Sequence, residues 1–93
     1  MQSLDITVTH PVGLHARPAA DFVKLAAKFP CEIKISNLTA AGKTVNAKSI
    51  LSVLTLGVQK DHVVHIETNG EREDEALLAL KDLIQSDFGE GAG

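Results

Sequence analysis

Tryptophan and tyrosine are absent from this chain of 93 residues, phenylalanine occurs three times, and cysteine once. A single cysteine, Cys31, excludes an internal disulfide and a thiolate zinc cluster, and reads as a small buried hydrophobe. Positive charge is also scarce: nine Lys and Arg stand against twelve Asp and Glu, a net charge of −3. With so few aromatics to stack on bases, that balance argues against a nucleic-acid binder. No segment approaches the roughly 18 to 20 consecutive apolar residues of a membrane span, and the first residues lack the basic and apolar regions of a secretory signal. A cytoplasmic setting is the expectation. Hydrophobic residues make up 44% and charged residues 23%, which suits one small globular domain.

Leu4, Ile6 and Val8 alternate with Asp5, Thr7 and Thr9, the period of a half-buried strand. From Ala16 the pattern becomes helical: Phe22, Leu25, Ala26 and Phe29 form one apolar stripe, and Pro30 is expected to stop the helix. Cys31, Ile33 and Ile35 mark a second strand. Asn37 to Gly42 reads as a hairpin connection and Lys43 to Asn46 as a short third strand. The apolar run Ala47 to Leu56 fits a helix with Gly57 as its C-cap, although its period also allows a buried strand. Val64 and Ile66 mark a fourth strand ending at Asn69-Gly70. Glu71 to Ser86 reads as a helix, with Ala76, Leu77, Leu80, Leu83 and Ile84 as its buried stripe and acidic residues at its positive end. The order β-α-β-β-α-β-α implies an α+β fold: one antiparallel sheet, helices on one face, the other face wet. Residues 1–88 are expected to form the domain, and 89–93 a flexible tail or linker stub.

Pro11-Val12-Gly13-Leu14-His15-Ala16-Arg17-Pro18-Ala19 carries the chemistry. A lone histidine at a helix start is ordinarily a surface or capping residue. Here Gly13 permits a sharp chain entry, Pro18 fixes the first turn at no hydrogen-bond cost, and Arg17 adds a fork of donors suited to phosphate oxygens. A neutral imidazole is a nucleophile, and backbone N–H groups near Ala16 and Arg17 form a cradle for a phosphoryl group. A cation in the first turn opposes the helix dipole, which makes Arg17 unfavourable unless an anion visits.

His10, His62 and His65 read as ordinary structural histidines. His62 and His65 are three apart on an expected strand and fall on opposite faces, a poor chelating pair. A small metal-binding domain using the four histidines is the unrelated alternative. Ser49, in Asn46-Ala47-Lys48-Ser49-Ile50, reads as a helix-capping serine. Phosphorylation there would add negative charge beside Ile50, Leu51 and Leu54, which exceed the needs of one buried face and suggest a docking surface.

These motifs resemble the HPr family, histidine-containing phosphocarriers of the bacterial phosphoenolpyruvate-dependent sugar phosphotransferase system. Gly13-Leu14-His15-Ala16-Arg17-Pro18-Ala19 is similar to its active-site signature. Asn46-Ala47-Lys48-Ser49-Ile50-Leu51 with Leu56-Gly57 is similar to its second, serine-containing signature. The resemblance spans roughly Ile6 to Leu83. It implies an open-faced β-sandwich with strand order 1-4-2-3, and a monomer without cofactor or metal. It implies that His15 accepts a phosphoryl group on Nδ1 from phosphorylated enzyme I and passes it to the IIA component of a sugar permease, with Arg17 stabilising the group. On this resemblance the chain is a carrier rather than an enzyme with its own turnover. Lys24, Ile50, Leu51 and Leu54 fall where the family docks partners. Ser49 matches the target of an HPr kinase/phosphorylase, which implies the alternative of a regulatory or nitrogen-branch protein acting through phosphoserine and a bound regulator. Val12 departs from the Asn of many relatives. The end Phe88-Gly89-Glu90-Gly91 resembles that of HPr modules in fused fructose phosphotransfer proteins.

Overall fold

The computed structural model describes residues 1–10, 13–14, 16–40 and 43–86. Alternation at the start of the chain produces β1 (Gln2–Thr7), and the stripe that follows produces α1 (Ala16–Ala26). Next come β2 (Glu32–Asn37), β3 (Thr44–Asn46), α2 (Ile50–Leu54), β4 (Val63–Asn69) and α3 (Glu73–Gln85). The sheet is antiparallel throughout, in the order β1-β4-β2-β3.

Its register separates two faces. Leu4, Ile66, Ile35 and Val45 line up across the four strands, with Ile6, Val64 and Asn37 in the next row. Of these, Ile6, Ile35, Val64 and Ile66 join Phe22, Ala26, Leu80 and Ile84 in the core, Leu4 and Val45 pack against it half-buried, and Asn37 is a buried polar residue. On the opposite face Asp5, His65, Ser36 and Thr44 form one row, and Ser3, Glu67, Lys34 and Asn46 another. That polar face explains why the strands alternate instead of running continuously apolar. No helix among the described residues is long and apolar enough to cross a membrane.

Several boundaries differ from those read in the sequence, by a single residue at the start of β3, which begins at Thr44 instead of Lys43, and at the end of α3, at Gln85 instead of Ser86. Helix α1 ends at Ala26 rather than at Pro30, because Lys28 and Phe29 N–H groups turn to the carbonyls three residues back. The residue before a proline disfavours helical backbone, so the tightening begins ahead of Pro30. Strand β2 runs on to Asn37, the residue that opened the expected connection. The apolar run 47–56 yields only five helical residues. The residues before them form an Asx turn in which Lys48 N–H donates to Asn46 Oδ1 at 2.9 Å. Ser49 is the N-cap of α2, Thr55 its C-cap, and Gly57 lies two residues further on with φ +61°.

The last boundary is that of α3, which begins at Glu73 instead of Glu71, after Arg72 in the left-handed region at φ 63°. The Glu73 carboxylate accepts from Gly70 N–H at 2.9 Å, and Thr68 Oγ1 donates to the Glu73 carbonyl. The Gly70 N–H, and after it the Met1 ammonium 3.1 Å away, hold the Glu73 carboxyl below its ordinary range.

Candidate phosphoryl-transfer site

The residues around position 15 are built into the fold from both sides. Gly13 has φ +66°, and a Cβ there would lie 2.2 Å from the Val58 carbonyl oxygen and 2.6 Å from Gln59 Cα. Only glycine fits so close a backbone approach. Gly13 N–H donates to the His10 carbonyl at 2.9 Å, and Leu14 N–H to the Val58 carbonyl at 3.0 Å. Gly13 and Leu14 are both buried, with Leu14 in the core cluster. The chain resumes as α1 at Ala16. Ala16 and Arg17 are exposed, while Pro18 and Ala19 are buried.

The first-turn amides of a helix have no partner within it, and the first turn of α1 carries no acidic residue. Pro18 occupies the third helical position, where its missing N–H forfeits nothing. His15 itself lies outside the described residues, as do Pro11, Val12, Ala41, Gly42 and the expected tail.

The second motif presents a different surface. Ser49 Oγ accepts from Ser52 N–H at 3.4 Å, a long capping bond. Val53 is fully buried, and it alone among the residues of α2 reaches the core. Ile50, Leu51 and Leu54 are 36%, 74% and 38% exposed, so these three lie largely outside the core. Lys24, on α1, is also exposed. Helices α1 and α2 are in contact, which joins the two motifs into one side of the molecule.

The remaining histidines separate. His65 sits on the polar sheet face, its Nδ1 2.5 Å from Asp5 and its Nε2 3.1 Å from Glu67. The Asp5 bond is the main cause of a pKa raised above the ordinary 6.5, with burial opposing and Glu67 assisting. His62 precedes β4 and turns its Nδ1 toward Asn37 and Gln59. His10 is buried. No group of three or more His, Cys, Asp or Glu among the described residues could hold a metal ion. Cys31 is a buried free thiol.

Comparison with known proteins settles the family. Residues 2–86 match the family described as "PTS HPr component phosphorylation site". The chain belongs to the HPr family. It is 43% identical over 91 residues to "Phosphocarrier protein HPr" of Pseudomonas aeruginosa, covering 98% of this chain and 99% of that one. It is 39% identical over 90 residues to "Multiphosphoryl transfer protein" of Salmonella typhimurium, covering 97% of this chain and 24% of that much longer one. Among solved structures, that of HPr from Thermoanaerobacter tengcongensis superposes with a TM-score of 0.90 at 46% identity, over 97% of this chain and 98% of that one. The HPr fold, with its four-stranded sheet and three helices, is thus that of this chain.

Sequence reasoning found the motif residues but missed Val58 and Gln59, which back Gly13 from 45 residues away. The only local signal was Gly13, whose need for a close neighbour names no neighbour.

Proposed function

We propose that this protein is a phosphocarrier in which His15 accepts a phosphoryl group from phosphorylated enzyme I and delivers it to the IIA component of a sugar permease. In each transfer a phosphorus–nitrogen bond to the His15 ring forms as the bond to the donor breaks, and the reverse occurs on delivery. No electrons are exchanged and no cofactor is needed. The observation that carries this reading is the clamped backbone at Gly13 and Leu14 two residues before exposed Ala16 and Arg17 at the start of α1. Such an arrangement supports an anion site at the helix start, formed by amides and an arginine suited to a phosphoryl group.

Arg17 offsets phosphoryl charge. Ala16 and Arg17 supply first-turn amides, and exposed Leu51, with Ile50, Leu54 and Lys24, supplies the docking surface. Incubation with enzyme I and phosphoenolpyruvate should add one acid-labile phosphoryl group, and His15→Ala should abolish it. Undiminished labelling of that variant overturns the reading.

A second reading rests on Ser49, which is half-buried at the edge of the exposed apolar residues of α2. A phosphate there would place about two negative charges beside the docking surface and weaken it. An acid-stable phosphate made from ATP and lost in Ser49→Ala supports this regulatory role.

A further inference from the structure

The turn behind Gly13 and Leu14 is held by side chains that phosphoryl transfer does not itself use. Asp61 adopts φ 70°, its N–H donates to the Val8 carbonyl at 2.6 Å, and the His62 carbonyl accepts from Val8 N–H at 2.9 Å. Within the turn, His62 N–H meets the Gln59 carbonyl at 3.0 Å and Gln59 N–H donates to His62 Nδ1 at 3.2 Å. Asn37, fully buried at the end of β2, places Nδ2 at 3.0 Å from the same Nδ1 and donates to the Leu56 carbonyl at 3.1 Å.

The roles of these groups are determined by their neighbours. Asn37 Oδ1 accepts from the Thr39 and Ala40 N–H groups at 3.1 and 3.2 Å, which fixes the orientation of its amide. A backbone N–H can only donate. His62 Nδ1 is therefore the acceptor of both bonds, and the ring proton resides on Nε2.

We propose that Asn37 and His62 are positioning residues for phosphoryl transfer at His15. They hold the backbone from Leu56 to His62, against which Gly13 and Leu14 rest. The contacts run without a gap. The His62 ring and the Asn37 amide fix Gln59 and Leu56. Gln59 and Val58 fill the space beside Gly13, and Val58 binds the Leu14 amide. A displacement of Gln59 is felt at Gly13 because nothing separates the two backbones. This inference rests on the reading of His15 as the phosphoryl acceptor, since transfer is sensitive to small misplacements of the attacking atom.

The test compares three variants of the whole chain. His62→Leu removes the acceptor. His62→Asn puts an oxygen where Nδ1 stood, and His62→Gln keeps a polar side chain but moves its oxygen out toward the Nε2 position, which serves if the leucine variant does not fold. Two quantities are measured: hydrogen exchange of the Leu14 amide in the unphosphorylated protein, and the rate of phosphorylation by enzyme I and phosphoenolpyruvate. Loss of the acceptor should speed exchange and slow transfer, each by about five- to tenfold. His62→Asn should restore both, and nitrogen NMR of the wild-type ring should find Nδ1 unprotonated. The proposal is overturned by wild-type exchange and transfer in His62→Leu or His62→Gln, by failure of a folded His62→Asn to rescue, or by a proton on Nδ1. Failure of His15 to be labelled in the wild type defeats the carrier reading and with it any role of His62 in transfer, whereas wild-type Leu14 exchange in His62→Leu, with transfer intact in the wild type, defeats the support of the loop alone.

Discussion

The two motifs of this protein meet the fold in opposite ways. In the first, Gly13, Leu14, Pro18 and Ala19 are buried, and Gly13 is pressed against the backbone of Val58 and Gln59. In the second, Val53 alone anchors α2, and Ile50, Leu51 and Leu54 project outward. A residue that must present one atom for in-line transfer needs a backbone with little freedom. A surface that receives successive partners needs exposed apolar area and tolerates a short, lightly anchored helix. On the proposed function, close backbone packing lies beside the residue where bonds would change, and exposed apolar area lies where partners would dock.

The largest expected effect breaks the rigid region. Gly13→Ala combines a left-handed backbone with a side chain in contact with a carbonyl oxygen, so the loop must move. The cost should reach about 3 kcal/mol or more, a large part of the stability of a domain this size. Urea unfolding measures it, and phosphorylation should fall in protein that remains folded.

The next pair sharpens the contrast within α2. Val53→Ala should cost about 2 kcal/mol in the same unfolding experiment, through lost burial and the cavity left behind. Leu51→Ala, three-quarters exposed, should leave stability within about 0.5 kcal/mol. It should nevertheless weaken productive encounter with enzyme I, by about tenfold if Leu51 is a central contact. Transfer rates against enzyme I concentration separate the two. Equal effects of both variants on stability and transfer would erase the distinction between anchor and docking residue.

Much of this organisation was legible in the sequence, and the remainder failed for identifiable reasons. Alternation from Leu4 to Val8 and the stripe of Ala76, Leu77, Leu80 and Ile84 located β1 and α3, because each follows from a single local period. The strand order came from resemblance to the HPr family, since no period tells which strand pairs with which. Helix α2 was overestimated because Asn46 and Ser49 use side chains to satisfy backbone groups, and apolar pattern is blind to that competition. His62 read as ordinary because its partner, Asn37, is 25 positions earlier in the chain. The candidate nucleophile, His15, was named from sequence through its neighbours, whereas the packing of Val58 and Gln59 against Gly13 required the tertiary structure.

A smaller effect probes the start of α2. Ser49→Ala removes a capping bond already long at 3.4 Å. The loss should fall near the low end for N-caps, about 0.5 kcal/mol, with transfer to His15 unchanged. A cost as large as that of Val53→Ala would mean that α2 is held by its cap rather than by its one core residue.

The smallest effect lies on the polar face of the sheet, far in character from both motifs. The Asp5 hydrogen bond raises the pKa of His65 above 6.5, and Glu67 adds to it. The folded state therefore binds the ring proton more tightly than the unfolded chain does. This contribution is fully present below 6.5, while the carboxylates remain ionised, and is lost as pH rises through the raised value. Both partners are solvated, so screening should keep it under about 1 kcal/mol. Wild type minus His65→Gln stability should be positive near pH 5.5 and shrink toward the alkaline side, on the order of the small change expected for a surface pair. Asp5→Asn should remove more of this slope than Glu67→Gln, because the Asp5 bond is the larger cause. Phosphoryl transfer should follow none of it. His65 lies with Asp5 and Ser36 on the open face of the sheet, away from the layer of helices that carries both motifs.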